Sequence, residues 1–241
     1  MIASRLVQPV PSSIRPTPPR LRSAAVHDRL RRAIVAGQYR PGDALPSERA
    51  LSEMHRVNRH AVREAIKRLQ QAGLVQVTQG GATRVLDWRE TAGLDLLADL
   101  AASESFPSVM RSFAQMRATI GADAARLCAL NAPAETRREL PALARAIPSP
   151  ADMRRYRIRF EAYEALWSAI VRGSGNVAYR LAFNSLVGAR HGGGIDPELF
   201  AAEVDDRDAA IALAAVIVAG DADLAYARAR GLLQRTVDAS A

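Results

Sequence analysis

The sequence predicts two folds in series: an N-terminal winged helix-turn-helix (α+β), followed by an all-α helical bundle. Three observations carry that expectation. Residues 23–71 hold three short stretches with apolar residues at helical spacing, and a glycine-centred pair of alternating runs follows at once. From Asp87 onward the alternation disappears and helical periodicity dominates. Charge is also divided. Residues 1–90 carry 16 Lys+Arg against 7 Asp+Glu, a balance of +9, whereas residues 91–241 carry 17 against 18, a balance of −1. A basic segment joined to a near-neutral one points to a polyanion-binding module and a second domain with another task.

The expected boundaries are a flexible tail over 1–20, a winged-helix domain over 21–88 and an all-α domain over 89–241. Five of the 13 prolines lie in the first 20 residues, which lack a periodic apolar face. Those residues also make a poor signal peptide, with no long apolar core and no small-residue cleavage site. No run in the chain approaches the roughly 20 apolar residues of a membrane span. A single cysteine, Cys128, rules out an internal disulfide and fits a reducing cytoplasm. Its chemistry is expected to be that of a small buried apolar residue.

Val26, Leu30, Ala33 and Ile34 set the phase of a first helix over about Ser23–Ala36, stopped by Gly37 and turned by "RPGD". Ser47 fits an N-cap for a short second helix near 47–54, with Glu48 at its positive end and Ala50, Leu51 and Met54 facing inward. Asn58 can cap a third helix whose Val62, Ile66 and Leu69 form one apolar stripe. The other surface of that helix presents Arg59, His60, Arg63 and Lys67. Arginines at a helix N-terminus add to its free N–H groups and partial positive charge. A basic face on an isolated helix is usually just solvated. Here "LVQVT", "QGG" and "ATRV" follow, which reads as a β-hairpin wing. A short helix, a tight turn, a helix with a basic N-terminus and a wing together match the geometry that enters a major groove. Wings reach phosphates or the minor groove, and Gln79, Gly80 and Arg84 are placed for it.

The stretch "PGDALPSERALSEMHRVNRHAVREAIKRLQQAGLVQVTQGGATRV" resembles the DNA-binding signature of the GntR superfamily of bacterial transcription regulators. By that resemblance Arg49, Asn58, Arg59, His60 and Arg63 fall where the family contacts its operator, with Gln79 and Gly80 at the wing tip. Asn58 stands where Ser or Thr is usual and should still cap the helix. His60 replaces a common Thr or small residue, which bears on base preference.

Seven amphipathic segments between residues 91 and 237 predict the helical bundle, with breaks at Pro107, Pro133, Pro148–Pro150, Gly173–Gly175 and Gly192–Gly194. Enzyme chemistry finds little support. The four histidines form no cluster with metal-ligand or triad spacing, and "RGSGN" lacks the setting and the lysine of a phosphate loop. No catalytic residue, metal or cofactor is expected. The run "RRYRIRF" is expected to be a solvated basic face sooner than a CoA-phosphate site.

"DWRETAGLDLL", "MRATIGADAARL" and "LWSAIVRGSGN" resemble the effector domain of the FadR branch of the same superfamily. Many members of the branch hold a metal through an Asp and three His. At the matching positions this chain has Tyr163, Trp167, Asp208 and Gly231, which cannot rebuild that site. Regulators of fatty-acid metabolism in the branch also lack the metal, carry an aromatic at the Trp167 position, and respond to long-chain acyl-CoA. Their last helix differs from "RARGLLQRTVDASA". The resemblance thus implies a cytoplasmic homodimer that binds double-stranded palindromic operator DNA under control of a small-molecule effector, an acyl-CoA being the first reading. A small-carboxylate sensor and an acyl-CoA-acting enzyme are the alternatives. Arg117, Tyr163 and Trp167 are the effector-binding candidates: an amphipathic ring lines an apolar cavity, and a guanidinium meets a carboxylate or phosphate. Trp167 serves equally well as core packing.

Overall fold

A computed structural model describes residues 19–78, 81–96, 100, 107–151, 156–191 and 197–240. The chain divides between Thr91 and Ala92 into two compact units.

In the first unit, α1 (Pro19–Val35), α2 (Glu48–His55) and α3 (Arg59–Gln71) precede an antiparallel hairpin and the short α4 (Trp88–Thr91). Strands β1 (Val75–Val77) and β2 (Thr83–Val85) set Val75 opposite Val85 and Val77 opposite Thr83. The apolar stripes meet as their spacing requires: Val26, Leu30 and Ile34 of α1 are buried, as are Leu51 of α2 and Val62, Ile66 and Leu69 of α3. Both expected caps form. Ser47 Oγ accepts from the Ala50 N–H at 3.2 Å, and Asn58 Oδ1 accepts from the Ala61 N–H at 2.8 Å. Between them Arg56 ends α2 in the left-handed region, with φ 53°. A non-glycine side chain there costs about 1–2 kcal/mol. Its N–H in turn reaches the carbonyls of Ser52 and Glu53, so the turn into α3 is hydrogen-bonded on both sides.

Met54 is a correction, since it is 60% exposed where the periodicity placed it inward. Two helical turns hold too few apolar residues to fix a phase, and Leu51 alone is fully buried on α2.

The second unit contains six long helices among the described residues: α5 (Pro107–Asn131), α6 (Ala134–Ala146), α7 (Tyr156–Gly173), α8 (Val177–His191), α10 (Arg207–Ala219) and α11 (Ala222–Ala239). A 3₁₀ turn (Pro197–Phe200) and the four-residue α9 (Ala201–Val204) separate α8 from α10. Where a first helix was expected, near residues 91–103, a 3₁₀ turn at Leu94–Leu96 is seen, and residues 97–99 and 101–106 lie outside the described set. The expected tail also lies outside it, except that Pro19 and Arg20 already belong to α1.

Small residues let α5 and α11 pack along each other more extensively than any other pair. Ala118, Ala122, Ala125 and Ala129 are buried on α5, and Ala225, Ala229 and Leu232 on α11. Helix ends are closed by arginines. Arg137 donates to the carbonyls of Ala129 (3.1 Å), Leu130 (3.3 Å) and Ala132 (3.1 Å) at the end of α5. Arg207 does the same for Arg145 (3.0 Å) and Ile147 (2.7 Å) at the end of α6. Such carbonyls have no partner within their own helix.

Cys128 is fully buried in this core, and burial pushes its thiol up to about 11. Behind it Gly173 closes α7, where an added Cβ would stand 2.6 Å from Cys128 Sγ and 3.0 Å from Thr136 Cγ2. A cysteine sulfur has little room to retreat. Gly173→Ala should therefore destabilise the protein by about 1–3 kcal/mol in urea unfolding. In a Cys128→Ala background the penalty should shrink, because the two sites share one contact.

Candidate functional site

The basic face of α3 begins at its capped N-terminus. Arg59, His60, Arg63 and Lys67 are all exposed, opposite the buried stripe. With Asn58 closing the first turn, Arg59 and His60 stand beside the remaining free N–H groups at the positive end of the helix. Arg63 is held across the helix pair: its Nε donates to Glu48 Oε2 of α2 at 2.7 Å. Arg49 points outward from α2 and stands 3.9 Å from Glu53 one turn on. Arg84 of β2 donates from Nη1 to the Gly42 carbonyl at 2.9 Å, so this guanidinium also braces the "RPGD" turn. Gln79 and Gly80 lie outside the described residues.

The second unit encloses a cavity of about 660 Å³, counting its open mouth. Arg117 of α5 and Tyr163 and Trp167 of α7, singled out from the sequence, all line it. The remaining wall is dominated by Phe113, Ile120, Phe160, Phe183, Phe200 and Leu233. Tyr163 and Trp167 meet edge to face at 6.2 Å, and Phe200 packs against Phe113 at 6.4 Å and Phe160 at 5.5 Å. The Trp167 Nε1–H is buried without a hydrogen bond of good geometry.

Behind the wall sits Glu203 of α9, a carboxylate with no exposed surface. It accepts from both Nη groups of Arg117, with Nη2 at 2.8 Å, from the Tyr163 hydroxyl at 2.7 Å, and from the Thr236 hydroxyl of α11. Burial disfavours the charge of Arg117, but the Glu203 carboxylate outweighs it and holds the guanidinium charged. Burial first, and then the neighbouring carboxylate, hold the Tyr163 hydroxyl far above its ordinary range. Arg117 also stacks over the Phe200 ring at 4.8 Å. Among the described residues Arg117 is the one cation in this wall, and it is already satisfied from inside the protein. Sequence reasoning missed both Phe200 and Glu203, which lie in "PELFAAEV", a stretch too short to show a period.

Two other sequence expectations fare differently. Asp208 and Gly231, the other positions matched to the branch's metal ligands, are exposed and line no part of the cavity. Among the described residues no group of three His, Cys, Asp or Glu side chains is placed to hold a metal ion. In "RRYRIRF", Arg157 is exposed and pairs loosely with Glu161 at 3.8 Å, but Arg159 is fully buried. Its Nε donates to Asp205 Oδ1 at 2.8 Å and its Nη1 to the Ser149 carbonyl at 3.1 Å, so it is neither solvated nor open to a ligand phosphate. Arg154 and Arg155 lie outside the described residues.

Removing one partner of a buried ion pair strands the other. Glu203→Ala should cost about 3–5 kcal/mol in urea unfolding followed by circular dichroism. Glu203→Gln keeps a carbonyl acceptor for Tyr163 or Thr236 and should cost less.

Residues 22–85 match the model of the bacterial regulatory proteins of the gntR family, and residues 112–235 match the FCD domain. The HTH-type transcriptional regulator Mce2R of Mycobacterium tuberculosis is 38% identical over 165 residues, covering 66% of this chain and 66% of that protein. The fatty acid metabolism regulator protein of Serratia proteamaculans is 34% identical over 162 residues, covering 65% of this chain and 64% of that protein. The chain thus matches just under two thirds of the length of these relatives. Among solved structures, a GntR protein of Streptococcus agalactiae aligns with a TM-score of 0.48 at 18% identity, covering 90% of this chain and 99% of that one. No described helix is long and apolar enough to cross a membrane. The capped basic helix with its hairpin and the helical domain with its aromatic cavity are the two parts that these models describe, and the chain belongs to the GntR family of bacterial regulatory proteins, with an N-terminal helix-turn-helix domain and a C-terminal FCD domain.

Proposed function

We propose that this chain is a cytoplasmic, homodimeric transcription regulator of fatty-acid metabolism, whose operator binding is released by a long-chain acyl-CoA. In this reading the domains are a tail over 1–20, a DNA-binding domain over 21–88 and an effector and dimerisation domain over 89–241. A twofold dimer requires a palindromic operator, each half-site taking one α3 in the major groove. Arg59, His60 and Arg63 meet bases or phosphates, Asn58 and Arg49 flank them, and Gln79 and Gly80 form the wing tip. The names of the Mycobacterium and Serratia relatives support regulation of transcription and the link to fatty acids.

The observation that carries the effector is the pairing of Arg117 with Glu203 beside a wall that is aromatic and aliphatic apart from Glu164. A small carboxylate needs a free cation, and this one would first have to leave a buried partner. An acyl chain needs apolar surface, which the cavity supplies. The effector can act only through unequal affinity for the DNA-competent and DNA-incompetent states of the dimer.

Each methylene buried contributes about 0.8 kcal/mol, so release from DNA should occur at falling acyl-CoA concentration as the chain lengthens, until the cavity is full. The measurement is binding to a duplex selected by the full-length chain from a randomised library, with acyl-CoAs of graded length, with and without EDTA. Trp167→Ala should weaken the response, and EDTA should leave it unchanged. Sensitivity to chelator, or indifference to every acyl-CoA, would favour a small-carboxylate sensor instead. On the DNA side, Arg59→Ala and Arg63→Ala should each cost about 1–3 kcal/mol on the selected duplex and flatten base preference. Equal losses on a scrambled duplex would restrict both arginines to phosphate contacts.

A further inference from the structure

We propose that Glu48 is a specificity-determining positioning residue, which orients Arg63 toward a base edge and keeps it off the phosphates. The inference rests on the proposed reading of DNA by α3. The two residues belong to different helices of the helix-turn-helix and are 15 positions apart, yet Arg63 Nε donates to Glu48 Oε2 at 2.7 Å. Stability does not account for such a pair. The Arg63 side chain is 66% exposed and that of Glu48 39%, and ion pairs in solvent contribute little to folding. The other acid–base pair on α2, Arg49 with Glu53, is the ordinary solvated kind, one turn apart on one helix at 3.9 Å.

Anchoring Nε fixes the plane of the guanidinium and directs its outer edge, Nη1 and Nη2, away from Glu48. That edge is a two-donor fork of the width that guanine O6 and N7 accept. A long exposed side chain ordered in advance loses less rotamer freedom on binding. The Glu48 carboxylate also treats the two kinds of DNA acceptor differently. A phosphate brings a full negative charge beside it and is repelled, whereas O6 and N7 are neutral acceptors. One carboxylate thus favours the base edge twice, through orientation and through charge.

The test compares the full-length wild type, Glu48→Gln, Arg63→Ala and the double variant. Affinity is measured on the duplex that the wild type selects from a randomised library and on a scrambled duplex of the same length and composition. Glu48→Gln is nearly isosteric and removes only the charge. It should stay folded, with no more than the small fall in melting temperature that loss of a charge at the positive end of α2 brings, bind the scrambled duplex more tightly and bind the selected duplex less tightly. The ratio of the two affinities should fall about three- to fivefold, the range that one exposed charge pair commands. In the Arg63→Ala background the same substitution should leave that ratio unchanged. Equal losses on both duplexes would mean that Glu48 only braces the helix pair and would overturn the inference. A ratio unchanged by Glu48→Gln but collapsed by Arg63→Ala would overturn it too, while leaving the reading by α3 intact. A ratio unchanged by Arg63→Ala would restrict Arg63 to phosphate contacts and would overturn the inference as well.

Discussion

The second unit is organised around one constraint, the need to satisfy a carboxylate that has no access to water. An ionised side chain transferred to a low-dielectric interior is tolerated only when it is paired and hydrogen-bonded. Glu203 meets that condition with donors from three helices: Arg117 of α5, Tyr163 of α7 and Thr236 of α11. Because α9 is four residues long and caps poorly, its position depends on that carboxylate more than on helix stability. Phe200, three residues earlier, is fixed by the same anchor and completes the aromatic wall. The cavity has its shape because the charge behind it is held.

The first unit uses charge in the opposite way. Its core joins the apolar stripes of α1, α2 and α3, with only Ser23 and His27 of α1 as buried polar residues among those described, and at its surface Arg63 and Arg84 are each oriented by a short contact. The turn between α2 and α3 is made by Arg56 in a left-handed conformation that glycine would adopt at no steric cost. Hydrogen bonds from Arg56 and Val57 to carbonyls of α2, and from Ser52 back to the Val57 carbonyl, offset that strain. Together with the Asn58 cap they fix the entry into α3, and through it the direction of the basic N-terminus.

Local signals made most of the fold legible. Periodic stripes identified α1 and α3, cap residues located the starts of α2 and α3, and alternation around paired glycines pointed to the hairpin. Proline and glycine breaks separated α5, α6, α7 and α8, whereas the turn at Gly220 between α10 and α11 was not among them. The failures share a physical cause. Met54 failed because an eight-residue helix does not determine its own phase. Arg159 failed because its partner, Asp205, is 46 residues away, and a pairing of that kind leaves no mark on local pattern. Glu203 lies 86 residues from Arg117, so the cavity residues Arg117, Tyr163 and Trp167 were legible as types while the carboxylate that engages them was not.

That unreadable contact bears most directly on how an effector would act. An open cation in an apolar pocket selects ligands by charge, whereas a cation already neutralised leaves selection to shape and apolar area. Phe200 and Glu203 lie within eight consecutive residues, 197–204, so the cavity wall and the polar anchor belong to one short segment. A ligand that pressed on the Phe200 ring would load the segment that carries Glu203. Through Glu203 it would load the hydrogen bonds to α5, α7 and α11 together. Buried hydrogen-bond networks yield in discrete rearrangements more readily than by gradual stretching, because a half-satisfied buried charge is costly. Under the proposed function, filling the cavity and resetting the network are therefore a single event. The energy available to bias the dimer between its two states is then bounded by the difference in apolar burial that the acyl chain achieves in each.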